Sequence, residues 1–435
     1  MDFCRGEGGA DFVDRVACII LAGGQGTRLF PLTQQRCKPA VIFGGRYRLI
    51  DIPLSHALNA KISSVYVISQ YLIGSLHEHI LETYSPSLTR NSKIHLLSPE
   101  ETSQSKTWYN GTADAIRKNL SYFAASSADY FLILSGDQLY NMDLHEMLLF
   151  ARQEDADLVI GALPVEEAEA KRMGLLQVTS ENRVLDFVEK PSDPKILEKF
   201  VVSKEILVAH PYKNQDKQHY LGSMGIYIFK REALFALLKE SGDDFGKNLI
   251  PIQFKKGKTS AFVYQGYWED IGTISSYYYA NIALLSQKNC LDVYDEKNPI
   301  FSDSKNLPSP IIRETHVKES IISLGSIIEA EEITRSVVGV RAHIKKGSII
   351  RDSIIMGNHY YEAPLHQSPP LPPHFSIGEN CFIEKAIIDE HCCIGNRVQL
   401  INKDKLQHYD GNGIYIRDGI IIVPTGTTLP DHFIL

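Results

Sequence analysis

Apolar residues are spaced in two different ways along the chain, and the change comes near residue 300. Before it, short apolar runs alternate with segments that have the spacing of amphipathic helices. Runs of this length between helices are typical of a mostly parallel sheet with helices on both faces, so we expect an α/β domain here. The runs expected to form buried strands are residues 19–21 (IIL), 65–68 (VYVI), 130–134 (YFLIL), 158–161 (LVIG) and 225–229 (GIYIF).

After about residue 307, amphipathic helices are no longer evident and branched apolar residues recur six positions apart. A plain β-sandwich would show a period of two, whereas a period of six is typical of a parallel β-helix whose coils bury their apolar corners. Residues 360–374 are too rich in proline to form a coil, and we expect them to loop out. The period is carried by Ile322 and Ile328; by Val338, Ile344 and Ile350; by Ile377 and Ile383; and by Ile388, Ile394 and Leu400.

The length of 435 residues exceeds what one hydrophobic core usually serves. We therefore divide the chain into an N-terminal tail (1–14), an α/β domain (15–284), an ordered connector (285–310) and a β-helix domain (311–435).

Composition excludes several classes of function. The formal net charge of −7 argues against general affinity for nucleic acid, so local basic clusters are better interpreted as sites for small anions. The seven cysteines are an odd number without a CxxC pair, which fits reduced thiols in the cytosol. We find no apolar run of about 18 residues that could span a bilayer. We expect a cytoplasmic protein with neither a membrane nor a nucleic acid as its partner.

The strongest chemical signal is the loop after the first apolar run, AGGQGTRLFPLTQQRCKPA over residues 22–40. Gly23, Gly24 and Gly26 would let backbone N–H groups approach phosphates, and Arg28 and Lys38 supply positive charge. The spacing matches neither the dinucleotide motif GxGxxG nor the P-loop GxxxxGK[ST]. A tight turn with solvated basic residues would give the same local pattern, so the loop alone does not decide the function.

Carboxylates follow at two further places. Asp137 comes directly after an expected strand, and ligands of open α/β sheets lie beyond the carboxyl ends of the strands. An isolated Asp at such a position more often caps a turn. Glu269 and Asp270 offer a second carboxylate, and chemistry alone does not choose between them. Mg²⁺ usually takes one or two protein carboxylates together with phosphate oxygens and waters, so a nucleotide-binding metal site is a consistent interpretation.

Residues 23–40 resemble the long signature GGxGTRLxPLTxxxxKPA of the sugar nucleotidyltransferases. The resemblance extends from about Cys18 to the end of the chain and is to the branch of glucose-1-phosphate adenylyltransferases. It implies a Rossmann-like nucleotidyltransferase domain followed by a left-handed parallel β-helix domain. The segments that carry it occur in the family's order and are FGGRYRLIDIPLS (43–55), WYNGTADA (108–115), FVEKP (187–191), SMGIY (223–227), WEDIGT (268–273), SVVG (336–339), YYE (360–362) and INKD (401–404).

The resemblance implies transfer of the adenylyl group of ATP to glucose 1-phosphate, with release of pyrophosphate. Asp137 and Asp270 would hold Mg²⁺, and Arg28, Lys38 and Asp137 would be the catalytic residues. Nucleotide-binding positions are implied at Leu21, Ala22, Gly23, Gly24, Gly26, Thr27, Gln70, Gly111 and Thr112, the last also expected to cap a helix. Positions that bind the sugar phosphate are implied at Tyr109, Gly174, Glu189, Lys190 and Ser223.

Four basic residues bear on regulation. Arg36 and Arg48 match effector-site residues of bacterial relatives, although Gln35 replaces a lysine there. Lys403 matches, and Arg417 replaces, lysines of relatives that respond to 3-phosphoglycerate. An effector site for an anionic metabolite and an ordinary solvated basic rim both remain open, and the family further implies a homotetramer.

Three alternatives share these motifs. A non-catalytic regulatory subunit would have lost the cations near the glycine loop, whereas Arg28, Lys38 and Asp137 are all present. A sister nucleotidyltransferase would use another base or sugar. A bifunctional enzyme would transfer acyl groups on the β-helix, as the related acetylglucosamine 1-phosphate uridylyltransferases do; the short, interrupted repeat region here favours an assembly surface.

Overall fold

The computed structural model describes residues 13, 15–84, 92–99, 108–203, 218–286, 288–303, 306–363, 371–372 and 374–435. An α/β domain is followed by a connector and a β-helix. None of the helices in the described residues has the length and apolarity that a membrane crossing requires.

The main sheet of the α/β domain has nine strands in the order β10-β9-β11-β6-β1-β4-β5, with β8 joined to β11 and β12 joined to β8. Strands β1, β4, β5 and β6 are parallel neighbours, but β11 runs antiparallel to β6, β8 and β9. The sheet is therefore mixed, and our prediction of a mostly parallel sheet is wrong for its β11 side. The strands are β1 (Val16–Leu21), β4 (Ser64–Ile68), β5 (Lys93–Leu97), β6 (Tyr130–Ser135), β8 (Leu158–Val165), β9 (Gly174–Val178), β10 (Val184–Glu189), β11 (Tyr220–Lys230) and β12 (Thr259–Val263).

Helices cover both faces of this sheet, as expected. Along β1, Ala17 and Ile19 belong to one hydrophobic cluster, whereas Cys18 and Ile20 belong to another on the opposite face. Successive side chains of a strand point to opposite faces, so an entirely apolar strand indicates burial on both sides. The helices run over Asp51–Asn59, Gly74–Thr83, Thr112–Lys118, Leu120–Ala124, Leu144–Glu154, Glu167–Ala170, Pro194–Lys199, Arg231–Leu237, Ile250–Lys256 and Ile274–Ala283.

Four short strands complete this domain. Strand β7 (Gln138–Tyr140) pairs antiparallel with β13 (Trp268–Asp270), and β2 (Ile42–Phe43) pairs with β3 (Tyr47–Arg48). The β7–β13 pair sets Asp270 directly opposite Gln138, one residue after Asp137. Two segments distant in sequence thus meet at the end of β6.

The predicted β-helix is confirmed, with three parallel sheets that run along its length. The first sheet contains β14 (Ile311–Ile312), β17 (Ile327–Ile328), β20 (His343–Ile344), β23 (Ser376–Ile377), β26 (Cys393–Ile394) and β31 (Thr428–Leu429). The second contains β15 (His316–Lys318), β18 (Glu332–Thr334), β21 (Ile349–Arg351), β24 (Phe382–Glu384) and β27 (Gln399–Leu400). The third contains β16 (Ile321–Ile322), β19 (Val337–Val338), β22 (Ile354–Ile355), β25 (Ala386–Ile388) and β30 (Ile420–Val423), extended by the hairpin β28 (His408–Gly411) and β29 (Ile414–Arg417).

The residues that carry the period of six lie inside the coils. In the first sheet, Ile328, Ile344, Ile377 and Ile394 are stacked in register and buried. Described ends of the proline-rich segment meet at a bridge between Glu362 and His374, so this segment leaves the coil as expected; its residues 364–370 and 373 lie outside the described residues.

The third sheet is apolar on both faces. Val338 and Ile355 point into the β-helix, whereas their neighbours Met356 and Ile354 belong to a cluster that includes Tyr277 and Phe43 of the α/β domain. Consecutive apolar residues in these strands, as in SII, SVV and AII, are therefore explained by burial on one side within the coil and on the other against the α/β domain. The two domains share one continuous hydrophobic cluster.

Candidate active site

A cavity of about 890 Å³ opens at the carboxyl ends of β1, β4 and β6. It brings together most of the site residues expected from the sequence, which come from segments up to 249 positions apart. The predicted residues that line it are Leu21, Gly23, Gly24, Arg28, Gln70, Tyr109, Gly111, Thr112, Asp137, Gly174, Glu189, Lys190, Ser223 and Asp270. The other four predicted residues do not line it. Ala22 is buried, Gly26 packs beside Lys38, and Thr27 lines a second pocket. Lys38 contacts Asp137, which does line the cavity.

The three glycines of the loop have different surroundings. Gly26 has a φ of 65°, and a Cβ there would lie 3.0 Å from Cβ of Lys38, so the fold itself requires this glycine. A Cβ on Gly23 would be 3.4 Å from Gln70. A Cβ on Gly24 would meet no atom of the described residues within 4 Å. Packing within the described part of the chain therefore does not explain Gly24, which is exposed and lines the cavity.

Gln70 joins two walls of the cavity. Its Nε2 donates to the carbonyl of Gly23 at 3.0 Å, and its Oε1 accepts from the backbone N–H of Tyr109 at 2.8 Å. Both ends of the amide are therefore used to hold the glycine loop against the segment of Tyr109. The Gln70 side chain thus connects two segments that are both predicted to bind substrate.

Four charged side chains meet at the end of β6. Lys38 Nζ lies 2.6 Å from Asp137 Oδ2, and Ser135 Oγ donates to Asp137 Oδ1. Burial and the nearby Asp137 raise the pKa of Asp270, against the opposing charges of Lys38 and Arg28. Two carboxylates and two cations thus form a nearly balanced cluster.

The far end of the cavity contains an acid and a base that are adjacent in sequence. Glu189 Oε1 lies 3.4 Å from Lys190 Nζ, and burial, more than any charge, raises the pKa of Glu189. A Cβ on Gly174 would lie only 2.7 Å from Glu189 Oε2, so this glycine leaves the space that the carboxylate fills. Lys190 has a φ of 47°, a left-handed conformation that is uncommon for a lysine, and its side chain is 63% exposed.

Comparison with protein families agrees with this arrangement. A family model described as Nucleotidyl transferase matches residues 17–287, which is more than half of the 435-residue chain. The chain belongs to this nucleotidyl transferase family. A second model, described as the GLGC left-handed parallel beta-helix domain, matches residues 305–434. The β-helix is therefore of the left-handed type that the sequence predicted.

The carboxylates of this nucleotidyl transferase suit a divalent metal that arrives with a nucleotide. Among the described residues, no group of three or more His, Cys, Asp or Glu side chains could hold a metal ion. Asp137 and Asp270 are a pair, and two carboxylates are what Mg²⁺ takes when phosphates and waters complete its shell. Burial and then their mutual repulsion raise the pKa of Asp270, and a cation between the two carboxylates would relieve the repulsion.

Several residues of the cavity lie outside the predicted site. Glu269, the alternative metal ligand, lines the cavity beside Glu169 and Arg172; burial and then Glu169 raise its pKa to about 7. Glu169 and Arg172 belong to the EAEAKRMG segment, which looks like an exposed helical end, and the resemblance marks only Gly174 in it. Gln25, Tyr71 and Lys171 also line the cavity.

The expected helix cap at Thr112 is wrong. The helix that begins at Thr112 is capped by the carbonyl of Asp243, which accepts from the N–H groups of Ala113 at 2.8 Å and Asp114 at 3.2 Å. The Thr112 hydroxyl instead accepts from the N–H of Phe245 at 3.0 Å. A Cβ on Gly111 would lie 2.3 Å from the Asp243 oxygen, so this glycine is required by the cap.

Two of the four effector candidates already have partners within the protein. Arg36 and Arg48 are both buried, and Arg36 is paired with Asp389 and Glu390 of the β-helix. Arg48 donates to the carbonyl of Ala40 at 2.7 Å and also lines a pocket of about 570 Å³ between the domains. An effector role of these two arginines stays a prediction, and for Arg36 it would compete with a buried ion pair.

The other two candidates lie at different places on the β-helix. Arg417 lines a second pocket of about 530 Å³ between the domains, and Arg28 lines this pocket as well as the main cavity. Lys403 is exposed and lies 3.4 Å from Oε1 of Gln399. Only Arg417 therefore faces a space that is connected to the active site by a shared residue.

We predict that two glycine substitutions in the loop affect different properties, one the stability of the fold and the other the binding of nucleotide. Gly26→Ala should lower the free energy of unfolding by about 1–2 kcal/mol because of its left-handed backbone. Gly24→Ala should leave stability unchanged but weaken ATP binding roughly tenfold, because the methyl group would block one N–H···phosphate contact. Urea unfolding and calorimetric titration with ATP measure the two effects. Wild-type affinity in Gly24→Ala would mean that this loop does not hold phosphates.

Proposed function

We propose that this nucleotidyl transferase transfers the adenylyl group of ATP to glucose 1-phosphate and forms ADP-glucose and pyrophosphate. The observation that carries the proposal is that the two ends of the cavity have different charged groups. One end, at β1 and β6, has the glycine loop with Arg28 and the Asp137–Asp270 pair, and the other end, at β10, which is three strands away from β6 in the sheet, has Glu189 and Lys190. The first end suits a triphosphate and a metal, and the second suits a sugar hydroxyl and a sugar phosphate. The match to the GLGC-type β-helix domain supports the choice of sugar and base.

The mechanism we propose is a direct displacement. The phosphate oxygen of glucose 1-phosphate attacks the α-phosphorus of ATP in line, and pyrophosphate leaves. The substrate supplies the nucleophile, so the side chains have only to position the two phosphates and stabilise the charge that develops. Arg28 neutralises the leaving pyrophosphate, Lys38 supports the transferring group, and Lys190 anchors the sugar phosphate.

Mg²⁺, held by Asp137 and Asp270, would screen the negative charge of the two phosphates as they approach. Lys38 has a second role here, because its ammonium already balances Asp137 before any substrate binds. Charge in the site thus remains compensated in the free enzyme and in the complex.

The experiment that tests the proposed substrates measures pyrophosphate release over a matrix of four nucleoside triphosphates and several sugar 1-phosphates. ATP with glucose 1-phosphate should give the highest kcat/KM. A clear preference for another base or sugar would identify a sister nucleotidyltransferase, and no turnover with any pair would favour a regulatory subunit.

Asp137→Asn should keep the fold and lower kcat about a hundredfold or more, because the amide removes an anionic metal ligand without changing the side-chain volume. Asp143→Asn is the matched control, since Asp143 caps a helix through its side chain and an asparagine caps equally well. Steady-state kinetics at saturating Mg²⁺ measures the effect. Comparable activity in the two variants would rule out the metal role of Asp137.

Lys190→Ala should raise the KM for glucose 1-phosphate at least tenfold and leave the KM for ATP nearly unchanged, since the proposed contact is with the sugar phosphate. Lys195→Ala provides the control, because Lys195 is an exposed lysine five residues further along. An equal rise in both KM values would show that Lys190 does not distinguish the two substrates.

Regulation by an anionic metabolite belongs to the same proposal, with Arg417 as its main contact. The support is the pocket that Arg417 shares with Arg28, because a phosphate bound there would change the field at the leaving group. Arg417→Ala should therefore abolish the response to whichever of 3-phosphoglycerate, fructose 1,6-bisphosphate, fructose 6-phosphate or phosphate alters wild-type kcat, with basal kcat retained. Lys403→Ala, at a residue that does not line this pocket, should respond as wild type does. An unchanged response in Arg417→Ala would locate the effector elsewhere.

A further inference from the structure

The short 3₁₀ turn Lys38–Ala40 presents the ammonium that pairs with Asp137. Both ends of this turn are held by arginines, Arg36 on its N-terminal side and Arg48 at the carbonyl of Ala40. Both arginines contact the β-helix domain. The position of a catalytic-domain lysine is thus tied to residues more than 300 positions further along the chain.

Arg36 makes a two-carboxylate contact. Its Nη2 donates to Asp389 Oδ1 at 2.6 Å and to Oδ2 at 2.7 Å, and its Nη1 donates to Glu390 Oε2. All three side chains are buried. A planar guanidinium that uses both of its terminal nitrogens is held in orientation as well as in position.

Arg48 lies near the same carboxylate through a shared neighbour, His359. Its Nη1 donates to the Ala40 carbonyl at 2.7 Å, and its Nη2 lies 2.7 Å from His359 Nε2. His359 Nε2 also lies 2.9 Å from Glu390 Oε1, and this one nitrogen can accept from Arg48 or donate to Glu390 but not do both at once. Glu390 therefore holds one end of the Lys38 turn directly, through Arg36, and lies next to the imidazole that contacts the arginine at the other end. We call Arg36, Arg48, His359, Asp389 and Glu390 the Glu390 clamp.

The charges of the clamp stabilise one another. Burial alone would raise the pKa of Glu390, but Arg36 and His359 outweigh it and hold this pKa well below its ordinary value. Burial would likewise lower the pKa of Arg36, and Asp389 and Glu390 raise it instead. Both groups remain charged near neutral pH, and withdrawal of either partner would leave an uncompensated buried charge.

The contacts around the turn also prevent Lys38 from keeping its position when the clamp moves. Pro39 fixes the backbone of the turn, its carbonyl accepts from the N–H of Ile50 at 2.9 Å, and the Cβ of Lys38 packs beside Gly26 of the glycine loop. A shift of the clamp would therefore move Lys38 relative to both Asp137 and the loop. A displacement of about 1 Å at a reacting group can cost roughly a hundredfold in rate.

We propose that Arg36 and Glu390 are positioning residues for nucleotidyl transfer, and that the β-helix domain, through the Glu390 clamp, sets the place of Lys38 against Asp137. The inference rests on the proposed function only in that Lys38 and Asp137 act in the transfer step. It adds that the β-helix contributes to catalysis within one chain and does not serve for assembly or regulation alone.

The test compares a variant that lacks the ion pairs of the clamp with a control variant at the same domain interface. Arg36→Met/Asp389→Asn/Glu390→Gln removes the Arg36 cation together with both of its carboxylates, while Arg48 keeps its hydrogen bond to the Ala40 carbonyl. Tyr278→Phe removes another interdomain hydrogen bond, from the Tyr278 hydroxyl to the Asp352 carbonyl at 2.6 Å, which does not touch the Lys38 turn. The clamp variant should lose at least about tenfold in kcat with less than about threefold change in either KM, since Lys38 acts on charge that develops in the transition state. Tyr278→Phe should keep wild-type kcat.

Glu390→Gln, which keeps the Arg36–Asp389 pair, is the second variant if the triple variant does not fold, and it should show the same selective loss in kcat at smaller size. A structural role alone would lower the melting temperature and the active fraction but leave kcat per active site unchanged. A kcat within about twofold of Tyr278→Phe in a folded clamp variant would overturn the proposal.

A double-mutant cycle with Lys38→Ala tests whether the clamp acts on catalysis through Lys38. If the clamp acts through Lys38, its removal should change the residual turnover of Lys38→Ala by less than about twofold, measured with radiolabelled nucleotide. Additive losses would contradict a path through Lys38. Each variant is compared with wild type on the substrates that wild type prefers, so a different substrate preference would overturn the proposed function and leave this comparison intact.

Discussion

The ion pair between Lys38 and Asp137 is the interaction on which the site depends. Asp137 lies at the end of a buried strand, where without a cation its charge would face both the low dielectric of the sheet and the second carboxylate of Asp270. Lys38 compensates the charge of Asp137, with its Nζ 2.6 Å from Asp137 Oδ2. The pairing also links the glycine loop to β6, because Gly26 packs on the same lysine. The proposed phosphate and metal sites and the local fold therefore share one contact.

The β-helix supports this contact in two ways. Its third sheet offers an apolar face to the α/β domain, so the domains are joined by a common hydrophobic cluster that includes Tyr277, Ile354 and Ile387. The charged residues of one coil, Asp389 and Glu390, then fix the segment before Lys38. We expect hydrophobic burial to provide most of the affinity between the domains and the buried ion pairs to specify their alignment.

Much of this architecture follows from local patterns in the sequence. The all-apolar β1 and the period of six are direct consequences of burial on two faces and of stacked coils. Direction is not encoded in an apolar run, and for that reason the antiparallel β11 was not foreseen. The wrong cap at Thr112 and the unforeseen ion pairs of Arg36 have a common reason: their partners, Asp243 and the Asp389–Glu390 pair, are distant in sequence and are brought close only by the fold. Glu169 and Arg172 were missed because the short helix Glu167–Ala170 and the turn after it look like an exposed surface segment.

The most direct test of the account is a crystal structure with Mn²⁺ and a non-hydrolysable ATP analogue, with the metal located by anomalous scattering. We expect an anomalous peak within coordination distance of both Asp137 and Asp270, with the triphosphate over Gly24 and near Arg28. A metal bound away from this carboxylate pair, or a triphosphate outside the glycine loop, would contradict the proposed site.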